Sequence, residues 1–448
     1  MVLERASDQG QLLIISHEIV GPKMAGPGIR YYHLARVLAR QLEVGLAAPE
    51  GSSLEPGADF ALFCYRSGQD GHLEEAIRQA QAVLIPAILL VQVPSLLRST
   101  VPLVIDGYDP FLAETLALSR DGLGQLQQTL TRAYLAGDFF ICASERQRDW
   151  WLGLLEAHGR VNAWTFQTDP SLRCLVDVVP FGLPEEPARH TAQVVKGVWP
   201  GIDSGDRVIL WGGGLWPWLD PLTAIRAMAR LKERRPDVRL IFPGTRHPNP
   251  NMAGIPTHHR AAVQLAQELG LLDKTVFFGD WVPYADWPNV LLESDLALTL
   301  HFDTLETRLA FRSRVLDYVW ASLPIVATRG DATGELVVRH GLGLEVDYED
   351  AEGVAEAMLH LLEMPGRAFQ PRFERVRREL TWERAARPLV EFCRRPRRAP
   401  DKAALGPDLG NPFYLGRIAH LQTLVEGYEQ GRFIRLMRWF HRLRGRAR

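Results

Sequence analysis

The chain has 448 residues, 46% of them apolar and 23% charged, with a net charge of −2. That length and balance suit two or three globular domains and exclude a disordered chain or a general polyanion binder. The four cysteines, Cys64, Cys142, Cys174 and Cys393, have no metal-ligand spacing and no disulfide framework, so reduced thiols and no zinc site are expected.

Residues 1–10 lack an apolar signal core, and residues 11–16 read as a first strand rather than a signal peptide. A helix is expected over 29–41, where Ile29, Leu34, Val37 and Leu38 have helical spacing. Strands follow at 44–48, 60–63, 82–85, 103–105, 139–142 and 176–184. The apolar run 82–93 is broken by Pro86 and Gln92 and is too short to span a bilayer. These runs lack strict alternation, as strands buried on both faces do. Short strands separated by helices predict right-handed βαβ units.

A polar stretch over 185–206 marks a domain boundary, after which the pattern restarts. Strands are expected at 207–211, 238–242, 276–278, 296–300, 324–327 and 344–346, with helices at 221–235, 351–364 and 377–393. The reading is α/β, with a first domain over 1–185 and a second over 186–365. A helical segment over 366–395 crosses back to the first domain, and a linker and basic tail occupy 396–448. In the tail, Phe433, Leu436, Met437, Phe440 and Leu443 share one helical face and arginines take the other. Two readings fit that segment, a helix lying on anionic lipid or one packed on the protein. A single basic helix does not make a nucleic-acid binder.

Two motifs carry chemistry. Gly212, Gly213 and Gly214 directly follow a strand, where glycine lets the backbone approach a phosphate; a tight turn without a ligand reads equally well. The spacing is not the dinucleotide fingerprint, which disfavours an oxidoreductase. Further on, Arg312, Ser313 and Arg314 stand at an expected helix start, with Asp317 about one turn later. Arginines beside free helix N–H groups make an anion site, and Asp317 suits hydrogen bonds from a ribose.

The segment from Asp317 through Pro324 to Thr328 resembles the donor-site helix and following strand of retaining GT-B glycosyltransferases, family 4 in particular. The likeness continues in Val178–Val179–Pro180–Phe181–Gly182–Leu183, in the stretch 276–283 with Trp281 and Val282, in 292–297, and in Gly26–Pro27–Gly28–Ile29–Arg30. It spans roughly 11–390 and implies two Rossmann-like domains facing across a cleft. It implies a nucleotide-sugar donor held by Gly213, Gly214, Trp281, Val282, Arg312, Ser313, Arg314 and Asp317. The acceptor side falls to Gly26, Gly28, Arg30 and His17.

Two departures from the family pattern stand out. Counting back eight positions from Asp317 gives Leu309 where the family has a glutamate; Glu306 or Asp303 is a replacement. The Arg and Lys of the first loop of the second domain are absent between Gly212 and Pro221, where Trp216, Trp218 and Asp220 stand. Arg312 and Arg314 then supply the missing charge. Asp106 sits near where the family faces the sugar, or is a turn aspartate; His17 and Glu18 face the same cleft. Asp106, Glu306 and Arg312 are the expected catalytic groups. No residue is assigned as a covalent nucleophile. No Asp-x-Asp motif appears, so neither metal nor cofactor beyond the nucleotide-sugar is expected. The implied function is sugar transfer to a glycan or lipid-linked acceptor in cell-surface polysaccharide assembly. The expected location is the cytoplasm, with the tail at the inner face of the plasma membrane. A nucleotide-sugar epimerase on the same fold and a non-catalytic sugar-nucleotide scaffold are the alternatives.

Overall fold

The computed structural model describes residues 11–405, apart from 56, 67–70, 98, 119–120, 253 and 366–367, and scattered residues from 420 to 431. The basic face expected within 431–448 falls outside the described residues save for Gly431. No described helix is long and apolar enough to cross a membrane.

The first sheet has seven parallel strands: β1 (Gln11–Ile15), β2 (Val44–Pro49), β3 (Ala61–Tyr65), β4 (Ala80–Pro86), β5 (Leu103–Asp106), β6 (Phe139–Cys142) and β7 (Val176–Val178). The second has six: β8 (Arg207–Trp211), β9 (Val238–Pro243), β10 (Val276–Gly279), β11 (Leu296–Thr299), β12 (Ile325–Thr328) and β13 (Gly343–Val346). Their orders are β3-β2-β1-β4-β5-β6-β7 and β10-β9-β8-β11-β12-β13. Leu13, Ile14, Ile15, Val208, Ile209 and Leu210 are all 0% exposed, because helices cover both faces of each central strand.

In each sheet the chain order reverses beside the first strand, between β1 and β4 and between β8 and β11. Such a switch point leaves a crevice beyond the carboxyl ends of the strands. These two domains are the two Rossmann-like halves of the GT-B fold.

Several boundaries differ from the sequence reading. The first helix is Gly26–Ala39 and begins three residues before the expected 29, because Pro27 tolerates the first helical turn. Phe60 and Pro324 precede their strands rather than opening them. The single helix expected over 377–393 is three pieces, Gln370–Glu379, Trp382–Ala385 and Arg387–Arg394. Thr381 starts the second piece by accepting from the Arg384 N–H, and Pro388 stands in the first turn of the third.

The last described helices pack on the first domain. Leu183 and Thr381 form a parallel bridge, with Leu183 N–H donating to Leu380 O at 2.8 Å and Trp382 N–H donating to Leu183 O at 3.0 Å. Trp382 stacks on His33 with ring centroids 5.1 Å apart, and Phe392 stacks on Phe139 at 4.9 Å. Residues 396–405, read from sequence as the start of a linker, are instead docked. Ala399 N–H donates to Asp138 at 2.9 Å, and Asp401 pairs with Arg160 at 2.6 Å with both side chains fully buried. Asp138 and Arg160 supply counter-charges to this segment that local sequence cannot reveal.

Candidate active site

A cleft of about 540 Å³ lies between the two sheets. Its second-domain wall is built by the turn after β8, the segment after β10 and the start of the helix Ser313–Ala321. Gly213 has φ +83°, a left-handed conformation that favours glycine. The neighbouring Gly212 N–H donates to the Tyr318 hydroxyl at 2.8 Å, and that hydroxyl donates to Leu298 O at 3.0 Å. Tyr318 is fully buried on the same helix that bears Ser313, Arg314 and Asp317. One side chain therefore fixes the glycine turn against the helix start.

Asp317 faces the cleft and accepts from Trp287 Nε1 at 3.1 Å. Burial pushes its carboxyl up to about 7, although the Trp287 bond and the Arg314 charge pull the other way. Arg314 lies over the Trp211 ring at 5.5 Å, and one Nη reaches Gly214 O at 3.5 Å. Its other Nη is buried without a hydrogen-bond partner, and burial lowers the guanidinium to about 10.

Arg312, two residues earlier, is in the opposite situation. Its Nη1 and Nη2 donate to the two Glu306 carboxylate oxygens, both at 2.7 Å, and its Nε lies 3.3 Å from Asp331. The Asp331 contact has ion-pair distance but not hydrogen-bond alignment. Asp331 caps the helix Ala332–His340 and lies 3.2 Å from His301 Nε2. The expectation that Arg312 supplies free charge to a diphosphate is therefore corrected. Glu306 neutralises it, and the pair forms wall at the cleft edge rather than an acid and a cation acting separately.

The first-domain wall also departs from the expectation. Asp106 and Arg30 do not line the cleft. They form a buried two-pronged pair at 2.8 and 3.1 Å, and the Tyr108 N–H donates to the same carboxylate at 3.1 Å. Asp106 is a buried structural carboxylate, so its expected catalytic role is corrected, as is an acceptor contact by Arg30. Gly28 is likewise absent from the cleft wall. A Cβ there would sit 2.4 Å from Ile19 O, so backbone packing explains this glycine. Gly26 and His17 do line the cleft, as do Gly213, Gly214, Trp281, Val282, Glu306, Ser313 and Arg314.

The carboxylates that face the cleft from the first domain are Glu18, Asp109 and Glu114. Glu18 accepts from Asn249 Nδ2 of the second domain at 3.1 Å. Sequence reading passed over Glu114; the available signal was that the helix Phe111–Leu118 begins directly after the Asp106–Pro110 turn, so its first turn follows the end of β5. Trp287 was also missed. Its ring nitrogen is what orients Asp317.

The two walls touch. Trp281 Nε1 donates to Met24 O at 3.0 Å, Tyr108 Oη donates to Phe311 O at 2.8 Å, and Gln147 Nε2 donates to Leu309 O at 2.7 Å. Tyr284 Oη and His33 Nε2 are 2.6 Å apart.

Residues 206–364 match the family described as Glycosyl transferases group 1. No curated protein matches the chain. Among solved structures, a sucrose-phosphate synthase from Thermosynechococcus elongatus superposes with a TM-score of 0.64 at 14% identity, covering 86% of this chain and 98% of the other. Anabaena Alr3699/HepE in complex with UDP and glucose gives 0.63 at 13% identity, covering 86% and 100%. WaaG, a glycosyltransferase involved in lipopolysaccharide biosynthesis, gives 0.54 at 17%, covering 85% and 98%.

Proposed function

We propose that this glycosyltransferase, whose residues 206–364 are a glycosyl transferases group 1 domain on a GT-B fold, binds its nucleotide-sugar on the second-domain wall and transfers the sugar with retention of configuration. Arg314 carries the reading. A part-buried guanidinium whose Nη has no protein partner, beside a glycine turn and a helix N-terminus, is a set of donors suited to an anion. The diphosphate fits there, between the Gly213–Gly214 backbone and the first N–H groups of the helix Ser313–Ala321. Asp317 stands about one turn along that helix. One of its oxygens is held by Trp287, which leaves the other to accept from ribose hydroxyls. Trp281 and Val282 border the same wall.

In the transfer, the bond from the anomeric carbon to the diphosphate oxygen breaks, a bond to the acceptor hydroxyl oxygen forms, and the hydroxyl proton passes to the departing diphosphate. Negative charge grows on the leaving diphosphate. Arg314 and the helix N–H groups are already aimed at it, so little reorganisation is needed when the bond breaks. The contacts between Trp281 and Met24 and between Tyr108 and Phe311 hold the walls together and limit attack by water. No protein nucleophile, metal or further cofactor enters this scheme. HepE forms a complex with UDP and glucose, which favours a uridine donor here. WaaG is involved in lipopolysaccharide biosynthesis, which favours a glycan or lipid-linked acceptor in cell-surface polysaccharide assembly.

A thermal-shift screen with UDP-, GDP-, ADP- and dTDP-sugars tests the donor assignment. One nucleotide series is expected to raise the melting temperature of the wild type, and Arg314→Ala should abolish that rise. A rise that survives both Arg314→Ala and Asp317→Ala would place the donor elsewhere.

A further inference from the structure

The cleft is electrically divided. Among the described residues its only arginines or lysines are Arg312 and Arg314, both at one helix start of the second domain. Arg312 is already matched by Glu306. Among its described residues the first-domain wall contributes no lysine or arginine but three carboxyl groups, Glu18, Asp109 and Glu114. Arg30 of the first domain is committed to Asp106 behind the wall.

The histidines do not repair the balance. His17 and His247 both line the cleft, and burial lowers each to about 4, so both are neutral near pH 7. The carboxyl groups also act on each other. Burial, followed by the neighbouring Asp106 charge, raises Asp109 to about 7. Glu114 is raised by burial and then by Asp109 and Glu306. An anion entering this half would meet carboxyl groups that burial holds back from ionising, and no cation to pair with. A hydroxyl-bearing ligand would meet carboxyl oxygens that accept hydrogen bonds in either protonation state.

Aromatic surfaces on both walls suit the same class of ligand. Phe111 borders the cleft from the first domain, and across from it the second-domain Trp216 and Trp218 rings are stacked with centroids 5.6 Å apart. Aromatic faces pack against the C–H faces of a sugar ring while carboxyl groups take its hydroxyls.

We infer that the acceptor presents an uncharged, hydroxyl-bearing group to the first-domain wall, such as a neutral sugar face, and carries no phosphate or carboxylate at that point. The inference rests on the donor being bound at Arg314, as proposed above.

The test measures nucleotide release from the best-binding donor in the presence of matched sugars. Glucose, galactose and mannose are compared with their 6-phosphates and 6-carboxylates, free and as octyl glycosides. At least one neutral member is expected to speed release tenfold or more over water. Its charged partners should give no more than a tenth of that acceleration. Glu114→Lys should narrow the gap at least threefold by admitting the anionic member. A charged sugar that equals or exceeds its neutral partner overturns the inference, as does a panel in which no neutral member acts. The donor-induced thermal shift, recorded on the same samples, separates the two ideas: if it persists while the acceptor pattern fails, only the acceptor inference falls.

Discussion

Each domain holds a carboxylate pair for one arginine, but at different depths. In the first domain Arg30 and Asp106 are both 1% exposed and stand behind the cleft wall. In the second, Arg312 and Glu306 are 7% and 2% exposed and form part of the wall, with Arg314 left over beside them. Matched charges shape a surface without offering it to a ligand. The unmatched arginine is what leaves the second wall a free cation for the proposed diphosphate.

Removing one carboxylate from each pair tests this contrast most strongly. Asp106→Asn should cost about 3–5 kcal/mol of stability, because it strands a buried guanidinium. Glu306→Gln should cost less than Asp106→Asn, since Asp331 remains 3.3 Å from Arg312. Urea unfolding midpoints give the ranking. Equal losses would mean that the Asp331 contact contributes nothing.

Removing Arg314 should act on catalysis instead. Arg314→Ala should lower kcat/KM by about 10²–10³, the scale for one oriented group that stabilises leaving-group charge, with the urea midpoint preserved. Arg314→Lys should recover part of the rate. A large loss of stability would show that Arg314 belongs with the matched arginines after all.

The smallest effect concerns pH. Asp317 in the folded chain holds its proton up to about 7, against an ordinary value of 3.8. Folding therefore binds a proton between those values. This group's stabilising share is complete below 3.8 and is lost as pH rises towards 7. Asp317→Asn should flatten the fall in melting temperature between pH 5 and pH 7.5, measured without nucleotide. An unchanged slope would mean that Asp317 is ionised throughout.

Much of the fold was legible because its signals are local. Leu12–Ile15 and Val208–Trp211 read as strands buried on both faces, and they are. Ser313 was read as a helix start, and it is the first residue of that helix. Ser322 occupies the left-handed helix C-cap at φ 59°, where the resembled family has glycine, so the motif keeps its geometry without its usual residue. Pairings between distant residues were not legible. Nothing near Asp106 in sequence announces Arg30, which is 76 positions away, and the Glu306–Arg312 pair depends on how the short helix Leu305–Leu309 folds back. Counting residues found the helix start at Ser313. It could not say which of two arginines on it was already satisfied.

The bridge between Leu183 and Thr381 has one more consequence. It fastens the outgoing and returning chain crossings together, so the domains share a fixed edge and have little freedom to slide independently. A molecule that bonds only the second wall and another that bonds only the first therefore act on one common coordinate, the angle of the cleft. If each favours the closed angle, each strengthens the other's binding by the same factor, whichever arrives first.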